Sequence, residues 1–239
     1  MAGSSDESIT TDSNSLRNGI PFVLLFIFVV GAAFFVSYGS FLWWEAWLLM
    51  GLWMLYFILM LTVTRKHNPR VVEERANSLS RFTQRWDKLI IIIYQVTSIS
   101  LYVVAGLDVG RFGWTTRFPS WLKWTAFVVV IVVYLLPYWA IVCNPFASGV
   151  VRIQEERKHY VVEKGPYRFI RHPMYLGTVL YGISFPLFLE SLWALIPGVI
   201  VILLFIIRTE LEDRFLKKNL PGYQQYAQRV RFRLIPGIW

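Results

Sequence analysis

Six nearly unbroken apolar stretches dominate this chain, over residues 21–41, 43–63, 89–107, 121–142, 175–190 and 192–207. The first four are long enough to cross a hydrocarbon core that takes roughly 20 helical residues, and the last two lie near the short limit of about 17. This predicts an all-α, polytopic membrane bundle of about six spans, the last two joined as a tight helical hairpin around Glu190 and Ser191. Pro186 and Pro197 interrupt that final pair and leave open a single buried, kinked element, although spanning helices tolerate proline where neighbours satisfy the freed backbone groups. Composition agrees with the span count: 56% of the 239 residues are hydrophobic and only 16% charged, too apolar a balance for an ordinary soluble domain.

The net charge of +9 raises nucleic acid as a partner, but its distribution points to a membrane. Of 24 Lys and Arg, seven fall in residues 64–88, six in 143–172 and seven in 208–239, while Arg111, Arg117 and Lys123 alone occupy the opposite side of a six-span arrangement. That asymmetry follows the positive-inside rule and predicts both termini in the cytoplasm. A basic inner face attracts anionic lipid headgroups, which accounts for the charge without nucleic acid. Residues 1–20 are polar and are expected to form a disordered cytoplasmic tail, 21–143 four membrane helices, and 144–239 a cofactor-binding C-terminal region ending in a cytoplasmic helix. Cys143 is the one cysteine, expected to pack as a small apolar residue at a span end, and no Cys/His spacing characteristic of a metal site is present. His67 reads as a solvated loop residue.

Polar chemistry gathers at two thresholds. Before the fifth stretch lies EKGPYRFIRHPMYLG, residues 163–177. Gly165-Pro166 signals a turn, and Pro173 suits the first position of a helix, where its missing N–H costs nothing. A helix starting there would leave Arg171 and His172 just outside the bilayer and turn its first free N–H groups toward the cytoplasm as an anion site. After the sixth stretch, Arg208 and Glu212 share a helical face, as do Glu210 and Arg214. A short connection between the last two helices would bring both thresholds together, with Tyr223, Tyr226, Phe232 and Trp239 at the headgroup level, where aromatic residues anchor a chain or cover a site. Glu45, Asp108 and Glu190 fall at span ends rather than mid-span, which disfavours an ion pathway.

The string HYVVEKGPYRFIRHPMYLG at 159–177, followed by RTELEDRFL, GYQQYAQRV and RLIPGIW, resembles the C-terminal signature of the isoprenylcysteine carboxyl methyltransferase family and its phospholipid N-methyltransferase relatives. The resemblance covers roughly residues 144–239. It implies an integral membrane enzyme that binds S-adenosylmethionine in a cytoplasm-facing pocket and methylates a lipidic or membrane-partitioning acceptor; prenylcysteine, phospholipid, a quinone-like lipid and a small thiol all fit. By the same resemblance His159, Gly165, Tyr167, Arg171, His172, Pro173, Tyr175 and Gly177 would bind the cofactor together with Glu212 and Asp213, while Arg208, held by Glu212, would organise the acceptor. Asp213 stands where the family usually carries a second glutamate. A carboxylate acceptor needs no general base; an amine or thiol would need one, with His172, His159 or Glu212 as candidates. The ending YQQYAQRVRFRLIPGIW is also similar to that of NADPH-dependent membrane sterol reductases, and a non-enzymatic membrane assembly protein is the third reading.

Overall fold

The structure is a computed structural model that describes residues 24–67, 71, 74–75 and 84–239. The expected tail at 1–20 and the side chain of His67 lie outside the described residues. Among the described residues every element longer than a turn is a helix: α1 (Leu24–Tyr38), α2 (Trp44–His67), α3 (Arg85–Gly106, continued by a π-helical turn Leu107–Phe112), α4 (Ser120–Cys143), α5 (Pro173–Phe188), α6 (Leu195–Asn219) and α7 (Tyr223–Arg229). Of these, α2 over Trp44–Val63, α3 with its π turn, and α4 are long and apolar enough to cross a membrane, whereas α1 and α5 are shorter apolar helices. Large apolar side chains face outward along the bundle, Val96 at 63% and Leu203 at 53% exposure among them, as expected of an integral membrane protein whose solvent is lipid.

The helices alternate in direction, so α4 packs on α5, α5 on α6, α6 on α3, and α2 on α4. Where α5 crosses α6 there is no room for side chains: a Cβ on Gly182 would lie 2.5 Å from the Gly198 carbonyl oxygen, and one on Gly198 only 2.1 Å from that of Gly182. Close backbone approach at small residues is how helices associate in lipid, where no hydrophobic gradient drives them together. Residues 189–194 separate the two helices, so the alternative of one continuous kinked element does not hold. Behind the crossing lies an apolar core that includes Phe34, Leu101, Val130, Phe188 and Val201.

Alternation sorts polar groups to the two ends. At one end Lys123 bridges Glu45 (2.6 Å) and Glu190 (2.8 Å), and Asp108 accepts hydrogen bonds from the Thr115 amide and the Thr115 and Ser191 hydroxyls. Exposed Trp44, Trp47, Trp114, Trp121, Trp124 and Trp193 ring that end, the level at which indoles sit in a bilayer interface. At the other end the last turns of α2 and α4, the first turns of α3 and α5, and the charged half of α6 come together.

Candidate functional site

The second polar end is built from the segment 144–172. Asn144 ends α4 and is held by its own turn, accepting the Phe146 amide at Oδ1 (2.8 Å) while Nδ2 donates to the Tyr167 hydroxyl (3.1 Å). Gln154, fully buried, donates to the Phe146 carbonyl (2.9 Å) and accepts from Arg157 (2.7 Å), which ties the strand-like run 146–154 to the turn at Glu155–Arg157. Gly165 opens a second turn, Gly165–Arg168, in a left-handed conformation at φ +59, and a Cβ there would press on Cys143 Sγ at 2.5 Å. The half-buried Cys143 thus ends α4 directly beneath that glycine. As the proline spacing predicts, α5 begins at Pro173 with His172 at its N-cap.

These elements surround a half-open cleft that takes in about 780 Å³ with open solvent included. His159, Tyr167, Arg171, His172, Pro173, Tyr175 and Glu212, all expected from the sequence, line it. Tyr223 and Tyr226 of α7 line it too, where the tail aromatics were expected to cover a site. The two thresholds therefore meet: the Tyr175 hydroxyl donates to the Glu212 carboxylate across the α5–α6 interface.

Several expected residues stand elsewhere, each for a steric or electrostatic reason. Gly165 and Gly177 are outside the cleft wall; a Cβ on Gly177 would meet Pro137 Cγ at 2.6 Å, so both glycines serve the fit of the chain against α4. Asp213, fully buried, faces away from the cleft, because neighbouring residues on a helix point about 100° apart and Glu212 takes the cleft-facing direction. It receives Arg171 (2.9 Å), Lys217 (2.8 Å), Arg233 (3.2 Å) and the Tyr223 hydroxyl (3.1 Å), with His172 Nε2 at 3.6 Å. Burial by itself would raise its pKa, but His172, Lys217 and Arg171 outweigh it and hold the carboxyl below the usual carboxylate range.

Arg171 reaches the cleft wall, yet its guanidinium is spent on Asp213 and on the Ala227 and Val230 carbonyls (3.1 and 3.0 Å). The amides of Arg171 and His172 bond the Phe232 and Arg233 carbonyls at 3.0 and 2.9 Å, which docks the C-terminal segment and removes those donors from the anion site expected there.

Arg208 is the clearest departure. It was expected to be held by Glu212 but pairs instead with Asp87 of α3 at 2.8 Å, and it donates a second bond to the Gly149 carbonyl at 3.0 Å. Its guanidinium lies over the Tyr175 ring, 4.8 Å from the centroid, outside the cleft wall. Asp87 also accepts the Val151 amide at 2.8 Å, so one carboxylate fixes α6, α3 and the cleft's 149–151 edge. Glu210 and Arg214 pair as expected at 2.6 Å.

His159 stacks on Phe146, ring centroids 4.3 Å apart, and lies 3.4 Å from the Gln154 amide at Nδ1. Burial, reinforced by Arg157 and Arg152, lowers its pKa to about 4, so at neutral pH it presents an uncharged ring to the cleft. The residues that sequence reasoning missed are Asp87, Asn144, Phe146, Ser148 and Arg152. Arg152 lines the cleft paired with Glu74 (2.7 Å) and Glu156 (2.5 Å), and NPFASG at 144–149 carried the only local signal, as a turn. Among the described residues no three His, Cys, Asp or Glu side chains are placed to hold a metal ion.

Fold and site define a polytopic helical membrane protein with a polar ligand cleft at one end of the bundle. Residues 125–218 match the isoprenylcysteine carboxyl methyltransferase (ICMT) family. The chain is 31% identical over 85 residues, 35% of its length, to protein-S-isoprenylcysteine O-methyltransferase B of Arabidopsis thaliana, and the match spans 43% of that relative. Its fold resembles the solved eukaryotic intramembrane Ras methyltransferase ICMT with a TM-score of 0.52 at 17% identity, covering 98% of this chain and 93% of the other. Residues 125–218 are thus similar to the isoprenylcysteine carboxyl methyltransferase family and the chain shares the fold of the solved structure, while the match spans less than half the length of the curated relative.

Proposed function

We propose that the chain is an integral membrane methyltransferase that takes the methyl of S-adenosylmethionine and transfers it to the carboxylate of an isoprenylcysteine-type acceptor. One observation carries this: the family match, residues 125–218, contains the helices and turns that build the cleft, from Asn144 through Tyr167 and Tyr175 to Glu212. In this reading α1 to α6 all span the bilayer, the last two as a hairpin, both termini are cytoplasmic, and 144–239 is the catalytic region, completed by Asp87 from α3.

The residues fit the cofactor's chemistry. S-adenosylmethionine supplies, when bound, an electrophilic methyl on a sulfonium, and it carries an ammonium, a carboxylate, ribose hydroxyls and a flat base. Glu212 faces the cleft with no cationic partner among the described residues, and its carboxylate is suited to the ammonium or the ribose hydroxyls. Phe146, Tyr160, Tyr167 and Tyr223 give the walls an aromatic surface for the base. Arg208 acts from behind Tyr175 and, with Asp87, fixes the ring whose hydroxyl orients Glu212. These groups bind, orient and exclude water; displacement at the methyl by a carboxylate needs no protein base.

The test uses purified protein in lipid nanodiscs with methyl-labelled S-adenosylmethionine and N-acetyl-S-farnesylcysteine. A base-labile methyl ester should form, and Glu212→Gln should weaken S-adenosylmethionine binding about 10- to 150-fold, the value of a hydrogen bond to a charged group. Binding of NADPH in place of S-adenosylmethionine would sink the proposal in favour of a reductase, and binding of neither in favour of an assembly role.

A further inference from the structure

Among the described residues, the cations that are not exposed are paired with one exception, and the exception marks a site. Among Lys and Arg side chains that are not exposed, Lys123, Arg152, Arg171, Arg208, Lys217 and Arg233 each bond an acid, and Arg157 bonds the Gln154 side-chain oxygen. Arg75 does not. It is half-buried, its Nη1 is fully buried, and that nitrogen has no hydrogen-bond partner. A buried guanidinium nitrogen without an acceptor is costly, and such groups in native proteins call for a ligand or an explanation.

Arg75 is not itself a lining residue of the cleft, but its chain neighbour is tied to the cleft wall. Glu74, 2% exposed, forms a two-pronged pair with Arg152 of the cleft wall, at 2.7 and 2.9 Å. The Arg75 charge is within electrostatic reach of the Tyr167 hydroxyl, which lines the cleft. An apolar patch adjoins the cleft: Met60, Val71, Ile141 and Ala147 are buried together, with Tyr56 and Met174 packed on them. Ala147 and Met174 also line the cleft, so the patch runs from the cleft toward α2. An unpaired cation beside an apolar patch that opens from the cleft matches an amphiphilic anion with its charged group inward and its hydrocarbon along the patch.

We infer that Arg75 binds the carboxylate of the methyl acceptor and so determines its specificity. This rests on the function proposed above and assigns its second substrate to a residue outside the family-matched segment. One carboxylate oxygen stays on the guanidinium while the other forms the new O–CH3 bond; the C–S bond breaks and its electron pair remains on sulfur, leaving a thioether and a neutral ester with no proton transferred. The ester cannot pair with Arg75 as the carboxylate did, so the same residue favours substrate binding and product release.

The experiment measures binding of N-acetyl-S-farnesylcysteine, of its methyl ester and of S-adenosylmethionine to the full chain in nanodiscs, for wild type, Arg75→Gln and Arg75→Lys. Wild type should prefer the carboxylate over the ester at least tenfold. Arg75→Gln should weaken the carboxylate tenfold to a hundredfold, erase the preference and leave S-adenosylmethionine affinity unchanged. Arg75→Lys should keep the preference at severalfold lower affinity, and it carries the test should Arg75→Gln fail to accumulate; a lysine variant as tight as wild type then overturns the inference. An Arg75→Gln protein that keeps the preference overturns it as well, and so does one that loses S-adenosylmethionine affinity in equal measure. A wild type that shows the Arg75-dependent preference without binding S-adenosylmethionine supports the carboxylate site and overturns the methyltransferase reading.

Discussion

Replacing Asp87 by alanine should be among the most damaging single changes outside the cleft wall. Asp87 is fully buried, Arg208 is 4% exposed, and they meet at 2.8 Å with the Val151 amide on the second carboxylate oxygen. Removing one partner of a buried pair costs about 3–5 kcal/mol because the other charge is left uncompensated, and the orphaned Val151 N–H adds about 1 kcal/mol. The total of about 4–6 kcal/mol corresponds to a fall in melting temperature of roughly 8–24 °C for a chain of this size. Arg208→Met alone should cost about as much, since it strands the carboxylate. The double variant Asp87→Ala with Arg208→Met leaves neither charge uncompensated and should be more stable than either single variant. Thermal unfolding in one detergent, read by tryptophan fluorescence for all four proteins, closes the cycle. The pairing argument fails if Asp87→Ala melts within 2 °C of wild type, or if the two single effects simply add in the double variant. Methyl transfer should stay lost in the stable double variant, because the ring of Tyr175 then has no guanidinium over it.

Gly182→Ala places a methyl 2.5 Å from the Gly198 carbonyl oxygen and should destabilise by about 1–3 kcal/mol through forced separation of α5 and α6, whereas Gly51→Ala, with nothing within 4 Å, should be neutral or stabilise by up to about 1 kcal/mol; equal melting temperatures would contradict the packing. His159, lowered to about 4 by burial and its arginine neighbours, should show an NMR titration near that pH rather than near 6.5. Because the unfolded chain takes up this proton first as pH falls, the residue's contribution is complete above about 6.5 and drains away down to about 4, so His159→Gln should flatten the stability profile in that window. A ring that titrates between 6 and 7 would refute the burial.

What was legible in the sequence was whatever depends on neighbours along the chain. Pro173 at the start of α5, the turn at Gly165 and the Glu210–Arg214 pair are all local, and each stands where the spacing put it. The convergence of His172 and Glu212 followed from a short link between two helices, which is nearly local. Asp87 was not legible: its partner is 121 positions away, and an acid in the first turn of a helix reads as a favourable dipole contact with no need of a distant arginine. The resemblance to a family transferred positions without roles. It put Gly165, Gly177 and Asp213 near the cofactor, while sterics give the glycines to helix packing and the helical repeat turns Asp213 inward. That last point was available from the sequence, since two adjacent helical residues cannot both face one cleft squarely.

The pairing of charges gives the site its logic. Around the cleft Arg152 is neutralised by Glu74 and Glu156, Arg171 by Asp213, and Arg208 by Asp87. What remains after these pairs is one acid, Glu212, bonded only to a tyrosine hydroxyl, and one cation, Arg75, bonded to nothing among the described residues. Buried charges favour ligands of opposite sign, because each ligand charge repays a desolvation cost that the empty protein already bears. On the function proposed above, the acid would take a cationic group of the methyl donor and the cation the carboxylate of the acceptor. Methyl transfer from a sulfonium to a carboxylate cancels both reacting charges in one step, and in this scheme the ester alone loses the charge that its protein partner would hold, because the thioether keeps the ammonium and hydroxyls that Glu212 would bind.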